Sequence, residues 1–306
     1  MGIQTSGQPG AAQTAKPHKV NGRHYPAEGQ SPTVRIIVAT HKQYRMPTDK
    51  MYLPLHVGAA AEVDKNGQEK DIGYHKDNVG ENISVRNPHF CELTGLYWAW
   101  KHLHQDYIGL CHYRRYFKGK PEHRSAIKGD IFDYILTYKE LRPMLGQYKV
   151  FVPRKRYYII ETLYSHYDHT HYIDHLEKTR EIIKNKYPDY LESYDEVMHM
   201  RSGHMWNMMI MTRELLNEYC TWLFDILFTL ETEVDFQNYN QYQGRYSGRV
   251  GELIFNVWLR QQVKSGHLRK DEIKTLPYLY VERVKWGKKI RQFLVAKYLG
   301  RKYDAQ

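Results

Sequence analysis

The stretch Asp106-Tyr-Ile-Gly-Leu-Cys-His-Tyr-Arg-Arg-Tyr-Phe117 places the tightest constraint on this chain. Residues 107–111 form a short apolar run of the kind that makes a buried β-strand. The run then turns polar at once, in His112, Tyr113, Arg114, Arg115 and Tyr116. Other runs repeat the pattern. Val34-Arg-Ile-Ile-Val-Ala39 closes in Thr40-His41-Lys42, and Lys149-Val-Phe-Val-Pro153 closes in Arg154-Lys155-Arg156. His204 to Met211 is apolar apart from Asn207, and Met51 to Gly58 reads as a shorter strand. Open α/β sheets bind ligands just beyond the carboxyl ends of their strands. Two guanidiniums, a histidine and several aromatic rings at one such end suit an anionic, polyhydroxylated ligand. A surface loop with solvated arginines is the competing reading.

Helical periodicity fills the intervals. Asn87-Pro88 is a helix entry, with Asn87 as N-cap and Pro88 in the first turn. Leu93, Leu96, Tyr97, Trp100 and Leu103 recur at threes and fours and extend that helix to about His104. Glu92 falls on it and is the one member singled out for chemistry, although a helical glutamate is usually solvated. Further helices are expected over 131–147, 173–186, 190–198 and 213–230. Residues 239–251 read as a Gly/Tyr-rich linker. A helix then begins at Glu252, where the helix dipole favours a carboxylate.

The chain has 306 residues, enough for one large α/β domain or two modest ones. Residues 1–32 are rich in Gly, Gln, Ala, Ser and Pro and are expected to be a disordered leader. Residues 33–265 would be the working domain and 266–306 a basic tail. In that tail, Trp286, Ile290, Phe293, Leu294 and Tyr298 lie among lysines and arginines, the pattern of a helix lying on an anionic membrane or, equally, of a terminal helix docked on the body. No apolar run reaches the ~18–20 residues of a membrane span. Forty-five basic against 34 acidic side chains give a net charge of +11, which favours phosphate-bearing partners. Cys91, Cys111 and Cys220 are widely spaced in apolar contexts, as expected of buried thiols in the cytoplasm. There is no Walker motif, GxSxG or GxGxxG, which sets aside P-loop enzymes, serine hydrolases and Rossmann dehydrogenases.

Two other segments carry candidate chemistry. In the glycine-punctuated loop 72–84, Asp77, Asn78, Glu81 and Asn82 could accept hydrogen bonds from ribose or sugar hydroxyls. Residues 162–175 hold four histidines, with His166/His169 and His171/His175 at spacings compatible with metal ligands on one helix face. No HExxH arrangement accompanies them, and no metal-ligand set is assigned.

Several motifs occur together in the order seen in one bacterial family. They are Val38-Ala-Thr-His-Lys42, Ile72-Gly-Tyr74, Gly80-Glu-Asn-Ile-Ser84, Cys91-Glu-Leu-Thr94, Tyr97-Trp-Ala-Trp-Lys101 and Gly109-Leu-Cys-His-Tyr-Arg-Arg-Tyr-Phe117. Asn207-Met208, Leu223-Phe-Asp-Ile-Leu227 and Glu252-Leu253 follow. Over residues 34–262 the chain resembles the capsular and exopolysaccharide biosynthesis glycosyltransferases with the HYRRYF signature, some of which transfer galactofuranose or galactose. The resemblance implies a GT-A-like α/β fold: a Rossmann-type mixed sheet flanked by helices, with a helical C-terminal part. It implies transfer of a hexose from a nucleotide sugar, UDP-linked, to a polysaccharide or lipid-linked glycan acceptor. The cytoplasm or the inner membrane face would be its place.

Thr40, His41, Lys42, Tyr74 and Asn82 would then lie at the donor site, with Asp77 and Asn207 as further donor-site candidates. Many GT-A enzymes neutralise the departing diphosphate with a divalent ion held by Asp-x-Asp. Here the corresponding strand end has Cys-His-Tyr-Arg-Arg. Arg114 or Arg115, helped by His112, is therefore expected to replace the metal, since a guanidinium binds phosphate oxygens directly. Dependence on Mn²⁺ or Mg²⁺ is the alternative. Glu252 is the first candidate for general base and Asp77 the second. The competing readings are a non-catalytic sugar-binding scaffold and a basic nucleic-acid-binding protein. The dispersal of the cations speaks against nucleic acid.

Overall fold

A computed structural model describes residues 19–20, 23–24, 31–63, 67–119 and 129–282. Its centre is a mixed sheet. The strands are Val34–Thr40 (β1), Tyr52–His56 (β2), His75–Lys76 (β3), Tyr107–His112 (β4), Arg115–Phe117 (β5), Val150–Pro153 (β6), Met209–Thr212 (β7), Ile273–Leu276 (β8) and Tyr278–Tyr280 (β9). Across the sheet they run β8-β6-β7-β4-β1-β2-β3, and β5 leaves the end of β4 to pair with β9. β1 is parallel to both β2 and β4, whereas β7 is antiparallel to both β4 and β6. Ile36, Ile37, Val38 and Leu110 are wholly buried, as continuous apolar runs must be when both sheet faces are covered.

Among the described residues, six helices of eight or more residues accompany the sheet: Leu93–His102 (α1), Leu163–Thr170 (α2), Asp174–Lys186 (α3), Leu191–Met198 (α4), Arg213–Glu233 (α5) and Tyr246–Lys264 (α6). α1 packs on β1, and α5 on β4 and β7. α6 is buried along most of its length, against α4, α5 and the short helical turn Asn87–Phe90.

β1, β2, β4, β6, α3, α4 and α5 lie where the sequence places them, whereas β3, β5, β8 and β9 are strands it does not mark; β8 and β9 carry the sheet past residue 265 into the segment read as a basic tail, because they pair with β6 and β5. Four further regions differ. The helix expected from Asn87 to His104 is broken: it stops at Phe90, turns at Cys91 and restarts at Leu93. The strand expected from His204 begins only at Met209, because Trp206 and Asn207 take left-handed backbone conformations. The linker 239–251 is helical from Tyr246, which puts Glu252 inside α6 rather than at its start. Residues 131–147 form three short helical turns, Ile131–Tyr134, Tyr138–Leu141 and Arg142–Met144, in place of a continuous helix. In the leader, Lys19–Val20 pairs with Arg23–His24 as an antiparallel ribbon. The basic helix expected over 285–302 lies outside the described residues.

Candidate active site

β1, β4 and β6 all point the same way, so their carboxyl ends share one edge of the sheet. Antiparallel β7 brings its amino end to that edge. The chain leaves β1 towards β2 on one side, and β4 returns on the other. The carboxyl ends of β1 and β4 therefore flank the topological switch point at which such sheets bind ligands.

Thr40-His41-Lys42 sits on the β1 side. Thr40 Oγ1 donates to the Lys42 carbonyl at 2.7 Å and accepts from the Lys42 N–H at 3.3 Å, which turns the chain as it leaves the strand. The His41 ring stands edge-on to Tyr113 at 5.4 Å. Burial and the adjacent Lys42 charge lower its pKa, favouring a neutral imidazole. Tyr44 stacks on Tyr113 with ring centroids 4.1 Å apart, and the Tyr74 hydroxyl donates to the Tyr44 carbonyl. Thr40, His41, Tyr74 and the Tyr113-Arg114 turn are thus linked.

That turn joins β4 to β5, with His112 paired to Arg115 across it. The two arginines separate. Arg114 lies over the Tyr113 ring and pairs with Glu282 at 2.9 Å, both side chains being about half exposed. Arg115 goes inward, its guanidinium carbon 5.4 Å from the Trp206 ring centre and 5.3 Å from that of Tyr280. Its Nε is buried with no hydrogen-bond partner among the described residues.

Beneath this turn lies a pair of carboxylates. Cys91, at φ +53° and ψ −131°, ends the Asn87–Phe90 turn and redirects the chain, so that Glu92 stands at the amino end of α1. α6 approaches closely because it carries Gly248 and Gly251 on that face. A Cβ at Gly248 would lie 3.1 Å from Cys91 Sγ and 3.3 Å from the Phe90 carbonyl oxygen, and one at Gly251 would lie 2.7 Å from Leu93 Cδ1. Glu92 Oε1 accepts from Asn207 Nδ2 at 2.8 Å and lies 3.3 Å from His112 Nε2. Burial opposes its charge. The neighbouring His112 and the hydrogen bond from Asn207 outweigh burial and hold the carboxyl down at about 2.

Asn207 also donates to the Gly248 carbonyl at 3.1 Å, while its own Oδ1 is buried and unpartnered. Cys91, Trp206 and Asn207 are the three non-glycine residues with positive φ among those described, and all three border this pair. Backbone strain of this kind collects at functional sites. Glu252 faces the same group from α6. Burial and the Glu92 charge raise its pKa, against the opposing pull of Arg115, the Trp206 backbone and His112. A glutamate at a helix start would be shifted the other way; lying within α6, Glu252 escapes that effect.

Two sequence candidates are committed to the scaffold. Asp77 is fully buried and accepts from the Gly58 and Ala59 N–H groups at 2.9 and 3.1 Å, from Thr94 Oγ1 at 2.6 Å and from Ser84 Oγ. Four donors leave it no lone pair suited to a base. Asn82 spends its amide on the Asn78 and Gly80 carbonyls and its Oδ1 on the Ser84 N–H. It shapes the loop.

The histidine segment divides in two. His166 and His169, on α2, both contact buried Glu161, at 2.8 and 2.6 Å. His171 contacts Gln243, and His175 lies between the Tyr167 and Tyr239 hydroxyls. His171 and His175 do not share a helix, because α2 ends at Thr170 and α3 starts at Asp174. Among the described residues no group of three or more His, Cys, Asp or Glu side chains is placed to hold a metal ion.

Residues 35–263 match the family model described as a domain of unknown function, DUF4422. The chain belongs to this family. No curated protein sequence matches it. Among solved structures it is similar to one described as the apo structure of the bifunctional glycosyltransferase WbbM, with a TM-score of 0.72 and 27% identity. The likeness covers 82% of this chain and 46% of that one, so this chain spans about half the length of WbbM. The DUF4422 region thus has the GT-A-like mixed α/β architecture, and Arg115, His112, Glu92 and Glu252 gather near the carboxyl ends of its central strands.

Proposed function

We propose that this chain is a glycosyltransferase that moves a hexose, galactose or galactofuranose, from a UDP-linked donor to a polysaccharide or lipid-linked glycan acceptor in capsule or exopolysaccharide synthesis. The observation that carries the reading is Arg115, a guanidinium with a buried, unpartnered Nε, held beside a carboxyl of raised pKa at the switch point. The fold's likeness to a glycosyltransferase supports it.

In the reaction the bond from the anomeric carbon to the donor phosphate oxygen breaks, and the electron pair leaves with the diphosphate. An acceptor oxygen bonds to the anomeric carbon and gives up its proton. Arg115 stabilises the charge on the diphosphate, and Arg114, on the Lys42 side, supports it from the opposite flank. Glu252 takes the acceptor proton, a task for which a raised pKa is suited. Glu92, itself held by the Asn207 amide, positions His112. Thr40, His41, Lys42 and Tyr74 line the nucleotide side, and the stacked Tyr44 and Tyr113 give the base a flat surface.

The direct test is donor binding and turnover by the purified protein over a panel of UDP-, GDP- and dTDP-hexoses. UDP release that accelerates with a glycan acceptor and persists in EDTA is the expected result. Strict dependence on Mn²⁺ or Mg²⁺ would shift the leaving-group role from the arginines to a metal. DNA binding at about 150 mM salt with no nucleotide-sugar binding would replace the reading with that of a nucleic-acid-binding protein.

A further inference from the structure

The segment Arg154-Lys-Arg-Tyr-Tyr-Ile-Ile160 leaves the carboxyl end of β6 on the same edge as the candidate active site. Arg154, Lys155 and Arg156 are exposed, and so are Tyr157 at 74%, Ile159 at 87% and Ile160 at 57%. No other large apolar side chain among the described residues is as exposed as Ile159. Two isoleucines next to each other in water are a cost unless something covers them.

The tip they occupy is pinned at both ends. Arg156 and Tyr157 pair with Gly203 and Ser202, and the Tyr158 N–H donates to the Arg201 carbonyl at 2.7 Å. The Tyr158 ring packs against His166 at 4.3 Å. On the far side Glu161 is buried under His166 and His169, and Thr162 caps α2 through Ser165. The histidine-rich segment therefore works as a clamp: it draws 158 and 161 inward and leaves 159 and 160 projecting.

We propose that this tip docks on an anionic phospholipid bilayer, with Ile159, Ile160 and Tyr157 entering the headgroup–acyl boundary and Arg154, Lys155 and Arg156 on the lipid phosphates. The chemistry selects a bilayer. Three consecutive cations with no acidic residue from 154 to 160 border an apolar apex, and a bilayer offers a phosphate layer directly over hydrocarbon. The Tyr157 hydroxyl suits the interface between them. The docking also deepens the proposed function, and it rests on that reading in one respect: the edge bearing Glu252 and Arg115 would face the membrane in which a lipid-linked acceptor resides.

The experiment is co-sedimentation of the full chain with vesicles of phosphatidylglycerol and phosphatidylcholine mixed, or of phosphatidylcholine alone, at about 150 mM salt. Binding to the anionic vesicles only is expected. The triple change Arg154→Gln/Lys155→Gln/Arg156→Gln should weaken it on the order of 10²-fold, and Ile159→Ser/Ile160→Ser by about tenfold. Both variants should keep the parent melting temperature, since their side chains are outside the core. Parent-like vesicle binding by either folded variant overturns the proposal. So does failure of the parent to bind anionic vesicles, or burial of the tip in a dimer that Ile159→Ser dissociates. UDP release with a water-soluble acceptor, measured without vesicles, tests the transferase reading separately.

Discussion

Replacing Glu92 with glutamine keeps the side chain's shape and removes its charge. The carboxyl is held at about 2 instead of the ordinary 4.5, by His112 at 3.3 Å and Asn207 at 2.8 Å. At about 1.4 kcal/mol per pH unit, that displacement makes the charged form contribute about 3 kcal/mol to folding at neutral pH. The group is buried, so solvent screening removes little of it. Because the folded-state pKa lies below the unfolded one, this stability is present above about 4.5 and is lost as pH falls towards 2. Glu92→Gln should therefore cost up to about 3 kcal/mol in urea unfolding at pH 7, and less than half of that at pH 3. The glutamine can still accept from Asn207, which makes the figure an upper value.

The same variant reaches the chemistry through Glu252. Glu92's charge helps to raise the Glu252 pKa, so neutralising it should lower that pKa. The acid limb of the kcat/KM profile should then move to lower pH. Two readouts, a denaturation midpoint and a pH profile, must shift together. Unchanged stability at pH 7, or an acid limb that stays in place or moves up, would refute the coupling.

Arg115→Ala should lower turnover by on the order of 10²–10³. Arg114→Ala should lower it far less, because Arg114 is half exposed and already paired with Glu282; equal losses in steady-state UDP release would contradict the division of roles. Glu252→Gln should cut turnover on the order of 10²–10⁴-fold while leaving donor affinity near the parent value in a thermal-shift titration. The parent rate should fall as pH drops through a value above the ordinary carboxylate range, because the base works only when deprotonated. Asp77→Ala strands two backbone N–H groups and two hydroxyls, so chemical denaturation should show a loss of at least about 3 kcal/mol.

The sheet was legible in the sequence because its evidence is local. A run such as Val34–Thr40, buried on both faces, has few alternatives, and the polar residues that end it mark the rim directly. His112, Arg115 and Lys42 could be assigned to one edge on that basis. The break at Cys91 carried no comparable mark. Neither glycine nor proline stands there, and the apolar period runs on across it, so an unbroken helix was the natural expectation. What bends the backbone is tertiary: α6 presses against the turn through Gly248 and Gly251, residues more than 150 positions away.

That long-range contact also explains why the surroundings of the two carboxylates differ from those the sequence suggests. Glu92 looked solvated because an unbroken helix would have carried it past the site; the kink turns it inward onto His112 and Asn207. Glu252 looked like a dipole-stabilised anion because the helix was expected to start there; six further residues of helix precede it and bury it opposite Glu92. Placed facing each other in one buried space, the two cannot be equally acidic, since the charge on one opposes ionisation of the other. His112 and Asn207 settle which one keeps its charge, and this leaves Glu252 as the carboxyl poised to exchange a proton. The acid–base division in the proposed mechanism is therefore a consequence of how α6 packs on the Cys91 turn, and any change that separates them should abolish the difference between the two glutamates before it unfolds the sheet.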